Sequence, residues 1–535
     1  MSNSHKPAPT PPECHRGRSP ELVSNSHNRL GLAKYAATVG IALSLIMVQA
    51  TIEYRELDLP AGYRWKDHLV SAFSLPLQLI CARIPDTASM APRIIALHAG
   101  LLFDSKTKAF RQNVSIQVDT ETGTIADVFE RDASADKAIK PSDIDLRSKV
   151  VMPGFVDAHT HIFLHSYEER PAQEQMRDES IVERTVRATN HVRRALLSGY
   201  TTYRDLGSEG MGSFDANLRD TINRGLIPGP RLFVATHALT STGSYEMRTE
   251  NAANGVAGPT ISDSCDGPTG VRRAVRRRVA DGADVIKFYA DYRRKIMRFP
   301  PVQTHPYIGG MPFPPRDANP QVVMFTQEEM DCIVEEARLA GLPVACHAGT
   351  ARGAIMAAKA GVTSIEHGSE GGDELLKELR RHDTILVPTL AATEAIRKDQ
   401  VEAAQRQAKR AFDMGVRLAA GGDTGTFNHG QGVREMELLI EAGIPVEEVL
   451  EACMVGGWEA CGGDACGFRF GWLAKGSRAD IVALDADPRE DKQALRKVSF
   501  VMKDGKIWKH AGVPVGVIEP IMQESGQDDP TWQLI

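Results

Sequence analysis

Between residues 153 and 460 one pattern recurs eight times: a short apolar run closed by polar residues, then a stretch with helical periodicity. The runs are FVDAHTH (155–161), YTTYRDL (200–206), RLFVAT (231–236), DVIKFYA (284–290), PVACH (343–347), TSIEH (363–367), TILVPT (384–389) and VRLAAGGD (416–423). Glu366 aside, they stay mostly apolar until their last residues, as strands covered on both faces do. Several intervening helices are bounded by their own residues. The segment from Thr326 to Glu329 is a capping box, Met330, Ile333, Val334 and Ala337 supply an apolar stripe, and Gly341 followed by Pro343 stops the helix. Eight strands alternating with helices over about 300 residues is the count of a (β/α)8 TIM barrel. A doubly wound α/β sheet needs fewer strands and a glycine-rich phosphate loop, and no G-x-G-x-x-G follows the first run.

The flanks read differently. Residues 93–151 alternate short apolar runs with Gly, Asp and Thr, a strand signal, and the pattern returns at 479–488 and 498–512. Asp504-Gly505 is a good hairpin turn. The expected organisation is therefore a barrel over 153–464 inserted in a small split β-sandwich made of 92–152 plus 465–515, with a short tail over 516–535. Residues 1–34 are rich in Pro, Ser and Asn and read as a disordered tail. From Tyr35 to Ile52 there is no charge, at the lower edge of the about 20 residues that span a bilayer. Basic residues before it and Glu53, Glu56 and Asp58 after it suit an N-terminal membrane anchor or export segment. The other reading is a short core or amphipathic segment, with 53–91 as linker. Translation starting at Met90 gives a cytoplasmic product; otherwise 35–52 makes it membrane-anchored or secretory.

Net charge is −6, with no long basic block in the body, so nothing points to nucleic acid. Eight cysteines in 535 residues imply no disulfide framework, and Cys461 and Cys466 read as core or loop thiols rather than metal ligands.

The chemistry lies in the strand-end residues, because the C-terminal ends of barrel strands face the active site. Those ends carry His159 and His161, Lys287, His347, His367 and Asp423. The i, i+2 spacing of His159 and His161 puts both imidazoles on one strand face, which suits two ligands on one metal. One strand-end histidine alone means little; four, with a lysine and an aspartate, point to a metal site. A protonated lysine has no lone pair to offer a cation. One resolution is that Lys287 reacts as a neutral amine with carbon dioxide, giving a carbamate able to bridge two ions about 3.5–4 Å apart that share a hydroxide. The other is a Lys287–Asp423 ion pair with a single metal elsewhere. Asp423 can touch a metal and shuttle the proton of the attacking water to a leaving nitrogen, or simply cap a helix after Gly421-Gly422.

PGFVDAHTHIF, YTTYRDLG, GPRLFVATHALTSTG, GADVIKFYA, FTQEEMDCIVEEARLAGLPVACHAG, GVTSIEHGSE and AAGGDTG, in that order, resemble the amidohydrolase superfamily over about 92–515. More narrowly, they are similar to its imidazolonepropionase-like branch, which includes Xaa-Pro dipeptidases and the fungal ochratoxin-hydrolysing amidase. The resemblance implies a binuclear zinc site in which His159, His161 and Asp423 hold the more buried ion, His347 and His367 the second, and carboxylated Lys287 bridges. Two departures bear on substrate. A second histidine common after strand five is here Gly349, and Thr-Gly-Gly-His after strand three reads Thr242-Gly243-Ser244-Tyr245, so that either Tyr245 replaces a carbonyl-contacting histidine or the loop itself differs.

Further substrate candidates are Tyr289, Arg293 and Arg294, which open a long Pro- and aromatic-bearing stretch over 298–315, and His429 in the last βα loop. A guanidinium there would clamp a carboxylate bidentately, or belong to a solvated basic loop. The expected function is hydrolysis of an amide or dipeptide-like carbon–nitrogen bond by metal-bound hydroxide, the protein being a homo-oligomer acting on a small molecule. The alternatives are a cyclic amide or imidazolone ring hydrolase, a deaminase, and a catalytically inactive barrel scaffold.

Overall fold

The computed structural model describes residues 93–132, 139–140, 142–246, 258–293, 303–304, 307–310, 312–313 and 321–516. The stretches read as tail (1–34), uncharged segment (35–52) and linker (53–91), and the C-terminal tail beyond 516, lie outside them. Among the described residues no helix is long and apolar enough to cross a membrane.

Four strands come first: β1 (Ile94–Asp104), β2 (Ala109–Asp119), β3 (Thr124–Glu130) and β4 (Ile144–Pro153). Then β5 (Phe155–Thr160), β6 (Tyr200–Asp205) and β7 (Arg231–Val234) form a parallel sheet. The third apolar run serves two sheets, because Thr236 turns the chain at a φ of 61° and the strand resumes as β8 (Ala238–Thr240). β8 lies between β9 (Ser262–Ser264) and β10 (Ile286–Tyr289). The long connection after β10 contains two short antiparallel pairs, β11 (Asp291–Arg293) with β14 (Gln321–Val323), and β12 (Gln303–Thr304) with β13 (Pro312–Phe313). β15 (Val344–Ala348), β16 (Ser364–His367) and β17 (Ile385–Val387) extend the second parallel sheet in the order β9-β8-β10-β15-β16-β17.

Discrete backbone hydrogen bonds join the two sheets. Val234 O on β7 accepts from Asp284 N at 2.8 Å, just before β10. On the other side the eighth run and the residue after it make single bridges, Leu418 to Leu386 on β17 and Thr424 to Thr160 on β5. The result is a (β/α)8 barrel in which the expected eighth strand is not regular. Its reason is local: Gly421-Gly422 and the left-handed backbone of Asp423, with a φ of 58°, break the extended run. The capping box is present as expected, with Thr326 Oγ1 accepting from Glu329 N and Glu329 Oε2 accepting from Thr326 N at 2.7 Å. Met330, Ile333, Val334 and Ala337 are all buried against the barrel.

The last strands, β18 (Ile481–Leu484), β19 (Val498–Lys503), β20 (Lys506–His510) and β21 (Val513–Pro514), return to the first four. Together they make one eight-stranded sheet, β21-β20-β19-β18-β4-β1-β2-β3. Its buried face includes Leu97, Val114, Ile116, Val118, Ile481 and Phe500. Asp504 and Gly505, with φ of 51° and 74°, make the β19–β20 turn, the double left-handed geometry that matches strand twist. Arg231, on β7, reaches Asp480 at 2.8 Å and Asp504 at 2.5 Å, so a buried arginine bonds the barrel to this sheet.

Candidate active site

All six expected ligands line one cavity of about 700 Å3 at the C-terminal ends of the barrel strands. Four imidazoles stand in a row. Ring centroids of His161 and His159 are 5.4 Å apart, His159 and His367 5.3 Å, and His367 and His347 4.6 Å. Side-chain atoms of His159, His161 and Asp423 fall within 4.8 Å of one another, a spacing a single metal ion can span. His347 and His367 form a separate pair beside that triad.

The surrounding groups fix the ring tautomers. His159 Nδ1 lies 2.9 Å from Glu366 Oε2, and His161 Nδ1 lies 3.0 Å from the Gly207 carbonyl. His367 Nδ1 lies 2.8 Å from Thr389 Oγ1, whose own hydrogen is given to the Pro388 carbonyl at 2.8 Å. Each of these partners can only accept, so Nδ1 carries a proton in all three rings, and Nε2 of neutral His159 and His367 presents a lone pair. Burial lowers the proton affinity of His159 and His347 well below the imidazole range and that of His367 to about 4, which leaves neutral ligands.

A carboxylate faces those nitrogens. Asp423 Oδ1 lies 3.3 Å from His161 Nε2 and 3.6 Å from His159 Nε2, is buried, and has no hydrogen-bond partner. A lone pair aimed at a carboxylate oxygen is repulsive unless positive charge lies between them. Burial opposes charge on His161, yet Asp423 and Glu209 outweigh it and push the ring up to about 9. Burial likewise opposes the Asp423 carboxylate, and His159 and His161 nonetheless hold it below the ordinary range. Without an ion the proton on His161 supplies that positive charge, and two imidazole nitrogens with a carboxylate are also a donor set for a divalent cation that would take its place. The side chain of Lys287, on β10, is 1% exposed, and burial lowers its affinity for a proton.

Three residues around the cavity floor have left-handed backbone: His367 (φ 71°), Thr389 (φ 54°) and Asp423 (φ 58°). Glu366 sits beneath them, fully buried, accepting from Arg204 Nη2 at 2.8 Å and Ser364 Oγ at 2.6 Å. Arg204 also donates to the Ala158 and Ala460 carbonyls. The signal for this support was an acid and an arginine inside apolar runs, and residue-level reading gave neither a role. Asp157 was missed too. It accepts from Thr424 Oγ1 at 2.6 Å and Gly422 N at 3.1 Å, which staples β5 to the eighth run.

The expected substrate contacts divide. Tyr245 and Tyr289 line the cavity, stacked at 4.7 Å, and Tyr292 packs edge-on against both. The Tyr245 hydroxyl donates to Glu209 Oε2 at 2.6 Å. The Gln321 amide occupies the space beside Gly349, where a β-carbon would lie 2.2 Å from Oε1. Arg293 is placed on β11 opposite Gln321, its side chain outside the described residues together with all of Arg294. His429 does not line the cavity. It is buried behind it, held there by the His191 ring, stacked at 4.2 Å, and by the Leu164 carbonyl, 3.0 Å from Nε2. Cys461 is buried among Val156, Phe233 and Phe470, with Cys466 packed alongside.

Residues 150–508 match the model of the Amidohydrolase family. The chain is 26% identical over 463 residues to ochratoxinase of Aspergillus niger, covering 79% of this chain and 88% of that one. Its fold matches the crystal structure of a Xaa-Pro dipeptidase with methionine bound in the active site, at a TM-score of 0.64 and 28% identity over 78% of this chain and 100% of the other. The crystal structure of the A. niger ochratoxinase matches at a TM-score of 0.62 and 25% identity, over 79% and 96%. With the family match spanning the barrel, its strand-end side chains and the returning strands β18 and β19 of the outer sheet, the chain belongs to the amidohydrolase family.

Proposed function

We propose that this protein hydrolyses a carbon–nitrogen bond of the amide or dipeptide type, using two divalent ions, zinc by donor chemistry. The observation that carries the reading is the convergence of four imidazoles, a buried amine and an unpartnered buried carboxylate oxygen on one cavity floor. Ochratoxinase and a Xaa-Pro dipeptidase among the relatives support the bond type. His159, His161 and Asp423 would hold one ion, His347 and His367 the other, and Lys287 would bridge them as its carbamate. Ions bound there supply Lewis acidity to a scissile carbonyl and lower the pKa of water.

The chain's own residues do the rest. Burial favours the neutral Lys287 amine, which adds to carbon dioxide and loses one proton to give the carbamate anion. Glu366, the Gly207 carbonyl and Thr389 hold the imidazoles in one tautomer, so no reorientation is needed on substrate arrival. Asp423 takes the proton of the attacking water and returns it to the leaving nitrogen. The Tyr245–Glu209 pair fixes a phenol in the cavity wall, where its ring bears on the substrate beside the reacting bond. The test is metal content together with hydrolysis of a panel of N-acyl amino acids, Xaa-Pro dipeptides and lactams. Two equivalents of metal with amide turnover are expected, with a Lys287→Ala loss of about 100-fold or more in kcat. Full turnover by that variant overturns the bridging role, and a metal-free, inert wild type overturns the whole reading.

A further inference from the structure

The charges lining the cavity are not equally committed. Among the described lining residues the acids are Glu168, Glu209 and Asp423, and the cations are Lys287 and Arg397. Lys287 is buried at the floor among the histidines. Glu209 accepts the Tyr245 hydroxyl and approaches His161 Nδ1 at 3.5 Å. Arg397 is different. It closes the helix Leu390–Ile396, and its backbone is tied down, the N–H donating to Thr393 O at 2.7 Å and the carbonyl accepting from Gln400 N at 2.9 Å. Its exposed guanidinium makes no hydrogen bond or ion pair among the described residues.

Other arginines in this neighbourhood are paired. On the same helix Glu394 pairs with Arg434 at 2.8 Å, and on the next helix Arg410 pairs with Asp373 at 2.7 Å. Those two acids are matched by other arginines, while Arg397 and the Glu168 carboxylate, both in the cavity lining, have no ion pair among the described residues. Ala392, Ala395 and Ile396 line the wall that leads to Arg397. The tyrosine wall stands elsewhere. In the strand order β10-β15-β16-β17, Tyr289 lies on the first strand and Arg397 follows the last, with His347 and His367 on the strands between. The tyrosines and Arg397 thus lie on opposite sides of the His347–His367 pair in the strand order, within one cavity.

We propose that Arg397 is a specificity-determining residue that binds a free carboxylate of the substrate, the apolar group beside that carboxylate lying along Ala392 and Ile396. The planar guanidinium fork matches two carboxylate oxygens, and the unpaired side chain gives up no internal bond to do so. The inference rests on the amide-hydrolase reading and moves the carboxylate clamp from Arg293 to the far side of the ring. It selects N-acyl amino acids and dipeptides with a free C-terminus over their amidated forms.

The test uses the full-length, metal-loaded protein with N-acetylphenylalanine, N-benzoylphenylalanine and their carboxyl-amides. The wild type is expected to prefer the acids. Arg397→Ala should raise KM for the acids about tenfold, leave kcat within about threefold, and leave the amides unchanged. Arg397→Lys should fall between, and Arg397→Glu should turn the preference toward the amides. Arg293→Ala should retain the acid preference. Acid preference untouched by Arg397→Ala and Arg397→Glu overturns this proposal while leaving the amide-hydrolase reading intact. Equal wild-type rates on acid and amide do the same. Absence of hydrolysis by the wild type on these substrates and on the wider panel overturns the underlying reading itself.

Discussion

His367, Thr389 and Asp423 each stand on backbone that L-residues avoid, at a cost of roughly 1–2 kcal/mol apiece. Such strain persists only where surrounding structure imposes it, and here it surrounds the six side chains read as ligands. Those six were legible because a histidine, lysine or aspartate ending an apolar run is conspicuous in one dimension. Their conformations were not, since φ is set by neighbours from other strands. Glu435 shows a second kind of imposed state. Its side chain is buried, Oε2 accepts from Ala391 N at 2.8 Å, Oε1 has no partner, and burial pushes the group up to about 8. From its ordinary value near 4.5 up to about 8 the folded protein keeps a proton that the unfolded chain releases, so stability falls as pH rises through that window. Glu435→Gln should match the wild type in thermal denaturation at about pH 5 and melt higher at about pH 9. A difference independent of pH would refute the assignment.

At the level of elements, the barrel floor is held by a charge pair between strands that are not neighbours. Arg204 on β6 and Glu366 on β16 are both fully buried, and together they bond the Ala158 carbonyl on β5, the Ala460 carbonyl at a helix end, the Ser364 hydroxyl and the His159 ring. Removing one partner of such a pair leaves a buried, uncompensated charge. Arg204→Met is expected to lower stability by about 3–5 kcal/mol, read as a shift in denaturant midpoint. Adding Glu366→Leu should restore much of that loss while weakening metal affinity by about 10–100-fold, measured by chelator competition. Unchanged affinity would show that Glu366 does not orient His159. Sequence periodicity marked both residues as exceptions within apolar runs, yet a contact across the ring between residues so far apart leaves no trace in spacing. The eighth run failed as a strand for the opposite reason: its glycines were visible, but their local preference had to be weighed against a ring that needs only two bridges there.

Across the whole molecule, the flanking segments expected to meet do so in a single hydrogen-bonded sheet, with β4 between β1 and β18. Alternation told which residues face the core; it carried no information on which strand lies beside which. The sheet is coupled to the barrel through Arg231, Asp480 and Asp504. A chain ending at residue 479 loses β18 to β21 and both acidic partners of Arg231. It should be recovered as aggregate rather than as a cooperative unit, by solubility and by loss of a sharp melting transition. A soluble, cooperatively melting truncation would show that the barrel needs no outer sheet. The pairing of Pro153 with Ile481 also has a meaning in time. A ribosome adding about 5–20 residues per second needs roughly 20–60 s to make what lies between them. Through that interval the nascent strand carrying Val150 and Met152 has one edge satisfied and one open, a template for any passing chain. The hazard in this protein's life thus falls before its release, and a chaperone that shields edges has its work there.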